Sequence, residues 1–339
     1  MSLIKEKINH CVCCNSSELQ TLVSIYGNQN LESSMSMCIN CGFYFRDYRF
    51  TLQEVDKRYH TDDPEFEDFL ESDVSKKCEE RRMVRYDRNM KWLEANSNHR
   101  KQTKSVLDIA CGPGSGLLPF KNAGYEVFGI DISPSRVKFA QRILQKEIFL
   151  GTFESFDFKA NFDVIICSHF LEHTHQPLSV LKKIHNLLSK NGLCYLEVPN
   201  HFEYASFHDP IYFAHNNNFT PLSISNIIQY SGLEIVSEHN PKTNFHQGAP
   251  EHLGIVLRRK EKIEPNITGP PEDYIGKLIR PYIIRPSFMV EIAKKYDHQE
   301  IHILTYEFTS AQEVEIYINK HIKPTSEKLE NDRNLIFKI

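Results

Sequence analysis

Val106-Leu107-Asp108-Ile109-Ala110-Cys111-Gly112-Pro113-Gly114-Ser115-Gly116 is an apolar run with one acid that breaks into three alternate glycines. It reads as a buried strand entering a tight loop where backbone must approach a ligand closely. A second strand, Glu126-Val127-Phe128-Gly129-Ile130, ends in Asp131, about twenty residues downstream and well placed for ribose hydroxyls. Together the two stretches predict a nucleotide-type cofactor site in a Rossmann-like, doubly wound α/β sheet.

The loop does not suit a dinucleotide. That fingerprint is G-x-G-x-x-G or A, whose third small residue packs helix on strand. Here Gly116 comes one residue early and is followed by Leu117. Asp108, before the loop, would repel a diphosphate and suit a cationic ligand. S-Adenosylmethionine has an ammonium, a sulfonium and no phosphate. At this point the chain resembles the class I S-adenosylmethionine-dependent methyltransferases, whose first motif reads D-x-G-C-G-x-G-x-G. Asp108 to Gly116 follow that pattern, with Ala110 in place of one glycine.

Bulk properties fit such a reading. The 339 residues suffice for one large domain plus accessories. A net charge of -4 lacks the basic footprint of a nucleic-acid binder, so such a partner is not expected. No apolar stretch approaches about 18 residues and the first ten residues do not form an apolar leader, so neither membrane span nor export is expected. Nine cysteines without a secretory signal point to a reducing, cytoplasmic setting.

Five of those cysteines fall in the first 41 residues. Cys11 and Cys14 form one C-x2-C pair, and Cys38 and Cys41 another. Asn15 and Gly42 follow the pairs, and both residue types tolerate the left-handed turn of a metal knuckle. Four thiolates suit a closed, structural Zn2+ site, leaving Cys13 as a surplus thiol that could compete for the metal. Balanced charge over residues 1–60 is a poor grip for phosphate, and Phe43-Tyr44-Phe45 reads as core or a domain contact rather than a base-stacking platform.

The division expected along the chain is a zinc-binding ribbon over 1–50, a helical lid or linker over 51–103, and the cofactor-binding domain over 104–260. A linker over 261–273 and a small α/β appendage over 274–339 follow. Alternating strands and helices predict seven strands at 105–109, 126–130, 148–150, 162–167, 193–198, 235–236 and 253–257, the last two as a hairpin-like pair. Helices are expected after the glycine loop to 122, at 133–145 with Ser133 as cap, at 177–188 stopped by Asn191-Gly192, and at 221–231. In the appendage, helices are expected at 286–295 and 311–318 with a strand at 301–308.

Ligands in such sheets lie beyond the carboxyl ends of the strands. The resemblance implies a cofactor-binding set of Asp108, Ala110, Gly112, Gly114, Asp131, Ile132, Phe153, Glu154, Ser168 and His169, with the turn at Phe153-Glu154 reaching the adenine. Ser168-His169-Phe170-Leu171-Glu172-His173 contains the family-like H-x-L-E-H segment, in which Glu172 and His173 read as braces of the next helix. The wider pattern, over roughly residues 11–260, resembles the zinc-carrying sugar C-methyltransferases acting on nucleotide-linked deoxysugars. Their Tyr-x-Glu-His catalytic motif stands here as Tyr212-Phe213-Ala214-His215, without the glutamate, followed by Phe219-Thr220-Pro221-Leu222. His215, with an ordinary pKa of about 6.5, is the candidate base, and Tyr212 would orient it or the acceptor. His201, His208 and Asp209 compete for that role.

The expected activity is methyl transfer from S-adenosylmethionine to a small polar acceptor: a sugar, nucleotide-sugar or glycan precursor. Without the glutamate, oxygen and nitrogen stay as open as carbon. An RNA or protein acceptor recognised by the ribbon, a non-catalytic scaffold, and a homo-oligomeric state are also left open.

Overall fold

A computed structural model describes residues 4–27, 30–59, 72–97, 104–202, 214–238, 252–260, 265–278, 300–304 and 334–338. They form two compact units that do not follow chain order. One combines Met1–Thr51, Pro199–Ile224 and Ile267–Ile339; the other combines Leu52–Val198 and Ser225–Asn266. This grouping differs from the linear division expected above because strand pairing reaches across it.

The first unit is built on β1 (Lys5–Lys7), β2 (Leu19–Gly27), β3 (Asn30–Cys38) and β4 (Tyr44–Phe50), paired antiparallel in the order β1-β4-β3-β2. Three later strands join them. β10 (Asn217–Asn218) pairs antiparallel with β4, β14 (Asn334–Lys338) pairs antiparallel with β2, and β13 (Glu300–Leu304) lies parallel to β14. Along β3, Met35 and Met37 alternate with Ser34 and Ser36, as a strand with two faces requires. Both serines donate to the buried carboxylate of Asp47, and Lys7 forms an ion pair with it. Phe43, Tyr44 and Phe45 are fully buried, with Phe43 edge-on to Phe219 at 5.5 Å, so this run is core.

The second unit carries the expected sheet. Its strands are β5 (Ser105–Ile109), β6 (Glu126–Asp131), β7 (Phe149–Leu150), β8 (Phe162–Ser168), β9 (Leu188–Pro199), β11 (Leu233–Glu238) and β12 (His252–Arg259). Their order is β11-β12-β9-β8-β5-β6-β7. β5 through β9 are mutually parallel and the β11–β12 pair is antiparallel, giving a mixed sheet. Helices α1 (Leu52–Tyr59), α2 (Asp73–Ala95), α3 (Leu118–Asn122), α4 (Pro134–Leu144), α5 (Pro177–Leu187) and α6 (Pro221–Ser231) accompany the strands, and a 3-10 turn, Ser115–Leu117, precedes α3. The core joins Tyr86, Met90 and Leu93 of α2 to Phe120, Val137, Ala140 and the strand residues Val106, Ile166 and Tyr195.

Two local expectations change. Asn191-Gly192 does not follow a helix stop but lies inside β9, where the pairing with β8 jumps from Phe162↔Leu188 to Val164↔Leu193. A Cβ at Gly192 would stand 2.8 Å from the carbonyl oxygen of Phe162, so this irregularity needs glycine. Ser133 precedes α4 but makes no side-chain cap; its hydroxyl bonds that of Ser135 at 3.0 Å. The helices expected at 286–295 and 311–318 lie outside the described residues. Among the described residues, no helix is long and apolar enough to cross a membrane.

Candidate functional site: the glycine loop and the strand ends beside it

The glycine loop is held by what surrounds it. Gly112 and Gly114 adopt φ of +57° and +81°, where a side chain is strained. A Cβ at Gly114 would also stand 2.8 Å from that of Ala140, and one at Gly116 would stand 2.6 Å from the Tyr86 ring. The three glycines thus let the loop pass between α2 and α4. Ala110 lies at φ +54°, the left-handed region, which explains why the resembling motif favours glycine there.

Asp131 ends β6 with both carboxylate oxygens engaged. Oδ2 accepts the Gly112 amide at 2.8 Å and Oδ1 accepts the Ser133 amide at 2.9 Å. Ile132, beside it, is half-buried. Asp108, 1% exposed, accepts from the Tyr86 hydroxyl at 3.3 Å, while its Oδ2 has no hydrogen-bond partner among the described residues. Burial raises this carboxyl to about 7, against the pull of Arg82, the Tyr86 hydroxyl and Arg85. The Arg82 guanidinium lies beside the loop, 3.1 Å from where a Gly112 Cβ would stand.

The turn after β7 is clamped by Lys183, whose ammonium donates to the carbonyls of Phe153, Glu154 and Phe156 at 2.7, 3.1 and 2.6 Å. Phe153 is buried, its ring 6.1 Å from Phe170, whereas Glu154 is exposed.

At the ends of β8 and β9 the polar groups converge on Glu197. Its Oε1 accepts from Ser168 at 3.1 Å and lies 3.1 Å from His169 Nε2, 3.3 Å from Arg85 Nη1 and 4.0 Å from His252 Nδ1. Its Oε2 accepts from the Tyr195 hydroxyl. Burial alone would raise the Glu197 carboxyl, but His169, Arg85 and His252 overcome it and hold the group well below the usual carboxylate range. Burial likewise opposes a charge on His169, yet its bonds to Glu172 and Glu197 raise it to about 9.

Glu197 is a residue of this site that the sequence reading above does not single out. Its signal is the one that marked Asp108, a lone acid near the end of an apolar strand. Arg85 and His252 gave no local signal, because helix and strand bring them to the site from far along the chain. Glu172 braces His169, at 3.3 Å from its Nδ1.

In the first unit, Cys11, Cys14, Cys38 and Cys41 place their sulfurs within 4.8 Å of one another, with Cys11–Cys41 at 3.6 Å and Cys14–Cys38 at 3.5 Å. Asn15 (φ +63°) and Gly42 (φ +68°) turn the two knuckles, donating to the carbonyls of Cys11 and Cys38. Cys13 is outside the four-sulfur group; its amide donates to the Cys11 sulfur at 3.4 Å. His215 is half-buried in the segment leading into β10 and belongs to this unit, not to the one with the glycine loop. Its backbone carbonyl accepts from Arg46 at 3.4 Å. His201 is fully buried, its Nε2 donating to the Leu278 carbonyl at 2.8 Å; burial lowers it to about 4, so it is a neutral core group. Tyr212, His208 and Asp209 lie outside the described residues.

Residues 80–238 match the family profile described as a methyltransferase domain. A Bacillus subtilis (strain 168) protein described as a methyltransferase, YqeM, is 30% identical over 129 residues, covering 35% of this chain and 51% of its own length. A ubiquinone biosynthesis O-methyltransferase from Psychrobacter arcticus is 26% identical over 133 residues, covering 33% and 52%. The chain spans about half the length of these curated relatives. Among solved structures, magnesium protoporphyrin IX methyltransferase from Synechocystis PCC 6803 with bound S-adenosylmethionine aligns at 18% identity and a TM-score of 0.45, covering 61% of this chain and 96% of that one. Over residues 80–238 the chain is therefore similar to methyltransferase domains, and the unit that holds most of this stretch carries the Rossmann-like α/β sheet described above.

Proposed function

We propose that the chain is an S-adenosylmethionine-dependent methyltransferase acting on a small polar acceptor of the sugar, nucleotide-sugar or glycan-precursor class. The observation that carries this reading is the buried pair of acids around the glycine loop, Asp131 bound to the Gly112 amide and Asp108 with an oxygen left over for a cation. Asp131 would hold ribose hydroxyls and Asp108 would face the cofactor's positive charge. Arg82 would take its carboxylate, and the turn at Phe153-Glu154 its adenine. The bound cofactor would supply a methyl group activated on a sulfonium. His215 and Tyr212 are assigned to the acceptor side, His215 as base for an acceptor that carries a proton.

A structural zinc ion on Cys11, Cys14, Cys38 and Cys41 is part of the proposal. Zn–S bonds of about 2.3 Å at tetrahedral angles separate sulfurs by about 3.8 Å, close to the 3.5 and 3.6 Å spacings here. Relatives named for O-methylation in ubiquinone biosynthesis support a small-molecule acceptor over a macromolecule. The burial of Phe43 to Phe45 also speaks against base stacking on the ribbon.

The test is calorimetric titration with S-adenosylhomocysteine, followed by transfer of label from methyl-labelled cofactor to nucleotide sugars, glycans and RNA. No binding by zinc-loaded protein sinks the methyltransferase reading. Label in RNA and not in any sugar sinks the acceptor class.

A further inference from the structure

We propose that His169, Glu197 and His252 form a second metal site, for a borderline divalent cation, at the carboxyl edge of the seven-stranded sheet in the methyltransferase unit. One ligand atom from each lies within 4.8 Å of the other two. The three come from the end of β8, the end of β9 and the start of β12. Two imidazole nitrogens and one carboxylate oxygen suit Zn2+, Fe2+ or Co2+ better than Mg2+ or Ca2+, which prefer all-oxygen shells. This inference concerns residues outside the glycine loop and does not depend on the cofactor assignment.

The surrounding groups are those a metal centre needs. A ligating histidine usually gives its other ring N–H to a carboxylate, which fixes the ring. His169 Nδ1 lies 3.3 Å from the buried Glu172, leaving Nε2 aimed at Glu197. Glu197 is oriented in turn, its second oxygen bound by the Tyr195 hydroxyl. His169 is further held at φ +53°, a backbone state that costs roughly 1–2 kcal/mol for a residue with a Cβ, with its amide donating to the Glu197 carbonyl at 2.9 Å. Strain kept at one residue is a mark of a functional constraint.

The rings of His169 and His252 stand 4.7 Å apart and are partly exposed, 26% and 29% by side chain, against 8% for Glu197. Three ligands at a partly open edge leave positions for an outside oxygen, such as that of an acceptor hydroxyl. On binding, the cation would replace the proton between His169 Nε2 and Glu197, which passes to solvent. Arg85, 3.3 Å from the same oxygen, opposes a second positive charge and is expected to weaken the site.

The probe is Co2+ added to zinc-loaded full-length protein, with bound metal counted per chain and followed by visible absorption. Wild type is expected to take one Co2+ beyond its zinc, with the weak bands of nitrogen and oxygen ligation and without thiolate charge transfer. His252→Gln, at a partly exposed position, should lose that equivalent while keeping its zinc and its melting temperature. Glu172→Gln should weaken it by roughly 10–100-fold, and Arg85→Gln should tighten it. No Co2+ beyond zinc in wild type, an unchanged equivalent in His252→Gln, or thiolate bands for that equivalent overturns the proposal. S-Adenosylhomocysteine titration of the same samples reports separately on the cofactor reading.

Discussion

The Gly112 amide donates to Oδ2 of Asp131 at 2.8 Å, tying the turn after β5 to the end of β6. One carboxylate therefore shapes the loop and is also the group proposed to hold the ribose. Asp131→Ala removes the acceptor for two backbone amides. A lost hydrogen bond to a charged group costs roughly 1.5–3 kcal/mol. Affinity for S-adenosylhomocysteine is expected to fall by at least about 10-fold, and urea unfolding should show lower stability without ligand. Unchanged affinity in calorimetry would remove Asp131 from the site.

Asp108 makes the unit pH-sensitive in a defined direction. Its folded pKa of about 7 lies above the ordinary 3.8, so between those values the folded protein holds a proton the unfolded chain has lost. Stability without ligand therefore falls as pH rises through that window and levels off above it. Asp108→Asn has no such proton to lose, so its melting temperature should gain on wild type by several degrees between pH 4 and 7. A cationic ligand reverses the preference: wild-type affinity for S-adenosylmethionine should climb toward pH 7 and that of Asp108→Asn should stay flat. Parallel curves for the two proteins would contradict both statements.

Two glycines in the left-handed region separate backbone strain from crowding. Gly124, at φ +85°, has open space where a Cβ would go, whereas at Gly114 the same atom meets Ala140 and Leu144. Gly124→Ala should cost roughly 1–2 kcal/mol. Gly114→Ala should cost that plus roughly 1–3 kcal/mol of overpacking. Equal midpoints in urea would mean that α4 shifts to make room.

The four-sulfur group predicts the response to metal removal. Cys38→Ser or Cys41→Ser should lose the proposed zinc, while Cys13→Ser should keep it, because Cys13 is not one of the four cysteines whose sulfurs lie within 4.8 Å of one another. Metal analysis of the purified proteins checks this. A strong chelator should lower the melting temperature of wild type and Cys13→Ser alike, and leave that of Cys38→Ser unmoved.

The sheet was legible because its strands are short apolar runs between turn residues, and β5 starts and stops where Val106 to Ile109 say it should. The start of β9 was not, because Asn191-Gly192 has the composition of a helix stop and its role as a pairing irregularity depends on Phe162 across the sheet. The knuckle positions Asn15 and Gly42 could be read from local conformational preference alone. Glu197 could have been found by the rule that singled out Asp108, whereas its partners Arg85 and His252 required the fold. The grouping of the tail with the first sheet was equally hidden, since no local pattern in Asn334–Lys338 names β2 as its neighbour.

That last pairing sets a timing problem for synthesis. Leu335 sits against Gly27, so the edge of β2 has to wait until Asn334–Lys338 have been translated before β14 can cover it. An uncovered strand edge invites pairing with other chains. A nascent chain stalled before residue 334 would carry that exposed edge, and loss of the β14 segment should show first as poor yield and aggregation.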